Sequence, residues 1–266
     1  MYSRNSGDGR TWYDSAQFKV ERHFGDWILL ASYVREKTLG MLTYRQIFSQ
    51  NNVYAQDMTN LNDMKSYLPF DQPNMFNFLS TYSLPFGRGK KFLHSQSRVM
   101  DAIVGGWTIS NAHQVRSGVL IQASCTNTLG NGVLFTRLKK CVETGVPILS
   151  GQDRTSLNPN NPASLWFNPA SYAQAGQYQF GPSALYNTNF RQPVSFTDNI
   201  GLVKNLSVWP KGDGNLVRLQ LRADAFNAFN RTAFGVNGAI GNPNFGRATG
   251  PQLGGRIITM GARVNF

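Results

Sequence analysis

Apolar and polar residues alternate with a period of two through the closing stretch RIITMGARVNF, and a β-strand is the local structure this period fits. Ile258, Met260, Ala262, Val264 and Phe266 share one face, and Ile257, Thr259, Gly261, Arg263 and Asn265 share the other. Residues 216–229, LVRLQLRADAFNAF, repeat the pattern: Val217, Leu219, Leu221, Ala223 and Ala225 form an apolar row, and Arg218, Gln220, Arg222 and Asp224 a polar one. In 194–209, Phe196, Ile200, Leu202, Leu206 and Val208 share parity, with Asp198 and Lys204 interrupting. In 105–121, Trp107, Ile109, Val115, Val119 and Ile121 share parity, with Asn111 and His113 as exceptions. Phe76, Phe78, Tyr82 and Leu84 do so in 75–84, and residues 12–24 and 27–38 form a pair joined by a tight turn at Gly25–Asp26. Long helical periodicity is almost absent.

No apolar run approaches the roughly 18–20 residues of a membrane-spanning helix. A transmembrane barrel needs only short alternating segments, so it stays open. Counting back from Phe266, with the C-terminus on the periplasmic side, the connections at 25–26, 85–104 and 210–215 fall inside and those at 39–73, 125–193 and 230–254 outside. Long outer loops over short inner turns are the barrel asymmetry, which the basic 85–104 connection breaks. Phe24, Trp27, Tyr82, Trp107, Trp209 and Phe266 all fall at the inferred periplasmic strand ends, where an aromatic girdle would meet the headgroup layer. Arg218, Gln220, Arg222, Asp224 and Arg263 would then face the lumen.

The expected fold is therefore all-β, an antiparallel transmembrane β-barrel fragment of about seven strands forming a partial, open wall with long extracellular loops. In lipid an unpaired backbone N–H or C=O costs several kcal/mol, so the strand near residue 12 needs a partner. The opening MYSRNSGDGRTWYD lacks the apolar core of a signal peptide. The expectation is a single unit, 1–266, forming the C-terminal part of a receptor barrel whose N-terminal strands, plug and signal peptide are absent.

Net charge is +12 while charged residues are only 15%, and the basic residues are scattered. The densest group is Arg88, Lys90, Lys91 and Arg98. Without a basic helix, a zinc ligand set or an aromatic RNA motif, this charge does not point to nucleic acid. GRGKK at 87–91 lacks P-loop spacing, and His23, His94 and His113 lie far apart. Asp57, Asn60, Asn62 and Asp63 supply oxygen ligands without calcium-loop spacing. No cofactor, metal or catalytic group is expected, and the chain does not read as an enzyme. Cys125 and Cys141 are either two free thiols or, in an oxidising compartment, a disulfide that stabilises by roughly 3 kcal/mol.

The segments YSLPFGRGKKF (82–92), GGWTIS (105–110), WFNPASY (166–172), LRADAFNAFNRTAFG (221–235), GNPNFGRATG (241–250) and GGRIITMGARVNF (254–266) resemble the C-terminal half of TonB-dependent outer-membrane receptors. Within these receptors they resemble the adhesin-like group with a carboxypeptidase-regulatory-like N-terminal domain. The resemblance implies a plugged barrel of about 22 strands in the cell outer membrane, taking up a scarce substrate with energy passed on by the TonB complex. It also implies that Met260, Ala262, Val264 and Phe266 form the signal read by the barrel-assembly machinery. The partners so implied are outer-membrane lipid, the plug and remaining strands of the same protein, the TonB complex and that machinery. Two other readings stand beside it: a structural or adhesive barrel that carries nothing, and a secreted soluble β-sandwich binding module.

Overall fold

The computed structural model describes residues 10–41, 57, 60–93, 97–123, 125, 140–151, 157–161, 163–176, 179–210, 216–252 and 254–265. Its strands are β1 (Thr11–Phe24), β2 (Trp27–Gly40), β3 (Ser66–Tyr67), β4 (Asn74–Ser83), β5 (Trp107–Arg116), β6 (Leu120–Gln122) and β7 (Val142–Glu143), followed by β8 (Tyr172–Ala173), β9 (Tyr186–Arg191), β10 (Ser195–Pro210), β11 (Leu216–Phe226), β12 (Phe234–Val236), β13 (Ala248–Pro251) and β14 (Ile257–Asn265). One short α-helix, α1 (Arg98–Val104), precedes β5. The long strands form one antiparallel sheet in the order β1-β2-β4-β5-β10-β11-β14, with β3 added beside β2. The seven alternating segments are these seven wall strands. β1 and β14 each have a single partner, so the wall is open.

Register carries the alternation of each strand across the whole sheet. One cross-strand row reads Phe24, Trp27, Tyr82, Ile109, Leu202, Ala223 and Met260. A second reads Phe18, Tyr33, Phe76, Val115 and Phe196. This face is oily yet uncovered: Met260 is 84% exposed, Phe18 65% and Val264 54%. A β-sandwich requires a second sheet over that face, and among the described residues none lies there. An apolar surface of this extent is unfavourable in water and is what a lipid-facing wall requires.

The β1–β2 hairpin closes through two residues, with Gly25 at φ +54 as its first central residue. The β4–β5 connection is held by close backbone packing. A Cβ on Gly106, which sits at φ +68, would collide with the Asn205 carbonyl oxygen. Ser97 caps α1 by accepting from the Met100 N–H at 3.3 Å. Helix α1 was not legible in the sequence, since it is a single capped element of seven residues. β11 ends at Phe226, short of the expected 229, because Asn227 turns the chain at φ +49, a conformation asparagine tolerates.

At the opposite rim the three long connections fold together into a cap. Ala123, Cys141, Phe167, Phe190, Val236 and Phe245 belong to one buried core, drawn from the β5–β10 and β11–β14 connections. Met64, Leu120, Leu185 and Tyr186 form a second, which brings in the β2–β4 connection. Cys125 and Cys141 are joined in a disulfide, with Cα atoms 5.3 Å apart. Replacing both by serine is expected to weaken the cap by about 3 kcal/mol. Faster proteolysis within 120–193, with unchanged sheet content of the wall, is the measurement.

Candidate functional site: the polar face and the loop cap

Arg218, Gln220, Arg222 and Asp224 on β11 and Arg263 on β14 share the face opposite the oily one, with Gln220 directly facing Arg263. The Arg222 Nε–H donates to Asp224 Oδ2 at 2.5 Å, and Gln220 Nε2–H donates to Asn205 Oδ1 at 3.0 Å. The sheet is hollowed on this side. A depression of about 290 Å³ is lined by Thr81, Ser110, Asn199, Gly201, Arg222 and Asp224, with Leu79, Ala112 and Phe226 among its apolar neighbours. Gly201 is a condition of that shape, because a Cβ there would meet Ser110 Oγ at 2.5 Å and Asp224 Oδ1 at 2.8 Å.

A ladder of amides continues the polar face on the neighbouring strands. Gln114 Nε2–H donates to Asn77 Oδ1 at 2.6 Å, and Asn77 Nδ2–H donates to Ser32 Oγ at 3.3 Å. Asn77 and Gln114 occupy the polar parity of their strands, and that signal was available in the sequence without being used.

Three of the polar exceptions on the oily face, His113, Asp198 and Lys204, find partners there, whereas the buried Asn111 Oδ1 has none among the described residues. His113 and Asp198 are opposed in register, with His113 Nδ1 on Asp198 Oδ1, and Arg231 lies 3.5 Å from Asp198 Oδ2. Lys204 donates to the carbonyls of Ile103 and Gly105, its Nζ 5.1 Å from the Trp107 ring centre. These three side chains are thus held by neighbours rather than presented to the surroundings.

Phe24, Trp27, Tyr82 and Trp107 sit at the short-turn rim. Phe24 and Trp27 rings are 6.5 Å apart and Trp27 and Tyr82 rings 6.0 Å apart. Trp107 Nε1–H donates to the Ile103 carbonyl at 2.9 Å. By register Trp209 pairs with Val217 at the same rim, its side chain outside the described residues. Phe266 also lies outside them, whereas Met260, Ala262 and Val264 face Ala223, Leu221 and Leu219.

Two ion pairs lock the cap. Arg191 donates through NH2 to Asp71 Oδ2 and through NH1 to the Asp71 carbonyl at 2.5 Å, while the Thr38 N–H donates to Asp71 Oδ1 at 2.6 Å. Lys140 Nζ donates to Asp63 Oδ1 at 2.6 Å, so a member of the acidic 57–63 cluster is engaged by a buried lysine. Asn227 Nδ2–H donates to the carbonyls of Arg231 and Gly254, and Asn230 Oδ1 accepts from the Arg256 N–H at 3.0 Å, so these asparagines shape the third loop. Sequence reasoning missed Asp71, Lys140 and Arg191, which lie in stretches without periodicity.

Tyr172 is packed in the cap core beside Phe190, ring centres 5.2 Å apart. Burial, aided by the nearby Glu143 carboxylate, pushes its phenol above the ordinary value of 10.0. The protonated form is favoured on folding, so this contribution is whole below pH 10.0 and falls as pH rises from there toward the folded value. The cap is expected to loosen in alkali above about pH 10, and Tyr172→Phe to weaken that dependence, as read by proteolysis across a pH series.

An antiparallel meander that is oily on one face and polar and hollowed on the other, with long loops folded at one rim, is the wall of a transmembrane β-barrel. The chain belongs to the Outer membrane beta barrel domain family, which matches residues 2–259. The family places the protein in the outer membrane. No curated protein and no solved structure matches the chain.

Proposed function

We propose that the chain is part of a TonB-dependent transporter that takes up a scarce substrate across the outer membrane. The observation that carries this reading is the hollowed polar face around Arg222 and Asp224, which runs toward a rim of large, mutually packed loops. In this reading the oily rows face lipid, the Phe24–Trp27–Tyr82–Trp107 side lies at the periplasmic interface and the loop cap is extracellular. Arg218, Gln220, Arg222, Asp224 and Arg263 line the lumen. In this reading the free edges of β1 and β14 pair with further strands of the same protein, since lipid offers their backbone groups no partner. A plug within the closed barrel couples it to the TonB complex. The barrel-assembly machinery reads Met260, Ala262, Val264 and Phe266. The role is passage and binding, not catalysis.

A second reading, an anchored adhesive barrel without transport, draws support from the cap, which has its own core, disulfide and buried ion pairs. Growth on candidate substrates in cells with and without the energy-coupling protein separates the two. Uptake that depends on coupling supports the transporter. Surface attachment that needs the loops and is indifferent to coupling replaces it with the adhesive barrel.

A further inference from the structure

Between the 157–161 segment and the 237–249 segment of the cap lies a hollow of about 300 Å³, lined by Asn158, Asn161, Asn237, Asn244, Arg247 and Thr249, with Pro159 and Ala248 completing it. Its size is at the lower end of small-molecule sites, enough for one sugar-sized unit. The acceptor ends of its asparagines are already used. Asn158 Oδ1 accepts from the Asn160 N–H at 2.9 Å, Asn161 Oδ1 from the Ala163 N–H at 3.0 Å, and Asn237 Oδ1 from the Ala239 N–H at 2.9 Å. Asn244 Oδ1 accepts from Arg247 NH1 at 3.1 Å. Each bond fixes which way its amide points, and the Nδ2 donors are engaged by none of the described residues.

Arg247 adds to this excess of donors. It is the sole charged residue among those lining the hollow. Its Nε is buried and has no hydrogen-bond partner among the described residues. Its backbone is pinned, with Arg247 N–H donating to the Asn244 carbonyl at 3.1 Å and Asn237 N–H to the Arg247 carbonyl at 2.9 Å. Beside it Phe245 is part of the cap core, and Trp166 N–H donates to the Gly246 carbonyl at 2.7 Å. The donors are therefore held in place before any ligand arrives, which reduces the ordering cost of binding.

We propose that this hollow binds an acidic sugar, a ring carrying a carboxylate. The carboxylate takes the guanidinium edge, whose planar fork suits it, and the ring hydroxyls accept from the asparagine amides. A neutral sugar leaves the Arg247 guanidinium without a charged partner, and a small carboxylate leaves the amides unused. The proposal deepens the reading of the cap as the outward face of an uptake barrel, and rests on it only for that orientation.

The test is binding of glucuronate to the full chain in detergent micelles, followed by saturation-transfer NMR and titration, with glucose and acetate in parallel. Glucuronate is expected to bind at least tenfold tighter than either. Asn161→Asp keeps the acceptor for Ala163 while replacing donors by negative charge, and is expected to weaken glucuronate binding at least tenfold. Arg247→Gln is expected to do the same. Glucuronate binding no tighter than glucose, acetate binding as tightly as glucuronate, or an Asn161→Asp variant equal to the parent each overturns the proposal. The comparison of the three probes on the parent chain needs no variant to fold. Uptake assays play no part in it, so the transporter reading and the binding site can fail separately.

Discussion

Replacing Arg191 by methionine is expected to destabilise the loop cap by about 3–5 kcal/mol, the cost of leaving a buried charge without its partner. Asp71 is 0% exposed, and its carboxylate is balanced only by Arg191 and the Thr38 N–H among the described contacts. The same guanidinium donates from Nε to the Thr188 carbonyl within β9 at 2.8 Å, and its NH1 bond to the Asp71 carbonyl ties the end of β9 to the β2–β4 connection. Methionine fills much the same volume, so the loss is one of charge and hydrogen bonds rather than packing. The wall itself does not depend on this pair. The expected result is rapid proteolysis within the cap while the heat-modified gel shift of the whole barrel, its further strands included, persists. Adding Asp71→Asn to Arg191→Met is expected to recover a large part of the loss, because asparagine can still accept from Thr38 without a stranded charge. If the double variant is as labile as the single one, the pair acts through shape and not through charge.

How much of this was readable beforehand differs between wall and cap. A strand whose two faces meet different surroundings writes that difference into its sequence at period two, and so β1, β2, β4, β5, β10, β11 and β14 were each legible from their own residues. Antiparallel alternation then fixed which connections share a rim. What local patterns do not encode is register between strands distant in sequence. His113 and Asp198 each looked like a defect in an oily row, and only the pairing of β5 with β10 makes them one hydrogen-bonded contact. The cap was the least legible part. Its strands are as short as the two residues of β7 or β8, too brief for any period to appear. Its core gathers Phe167 and Phe190 from distant points of one connection and Phe245 from another, with Phe167 and Phe190 ring centres 4.6 Å apart. The polar face stood between these extremes: Arg222 and Asp224 were found by parity, while Ser110 and Gly201 matter through the hollow they shape, which needs the curved sheet to exist.

Leu202 sits in the middle of β10, on the oily face, flanked in register by Ile109 and Ala223. Leu202→Arg is expected to reduce folding of the barrel into bilayers by about 2–4 kcal/mol, the cost of a cation near the membrane midplane. The residues directly beside it in the row are apolar, so the new guanidinium lacks the kind of neighbour that Asp198 finds in His113. The same charge placed on the other face meets a different environment. Gln220→Arg lies opposite Asn205 and Arg263, within a polar row, and is expected to fold within about 1 kcal/mol of the parent. The assay is a denaturant titration of folding of the whole barrel, its further strands included, into lipid vesicles, read by gel shift and tryptophan fluorescence. The contrast between the two variants measures which side of the sheet touches lipid, independently of any transport assay. Equal tolerance of arginine at both positions would show that water covers the Leu202 row, and a membrane wall could not then be built from these strands.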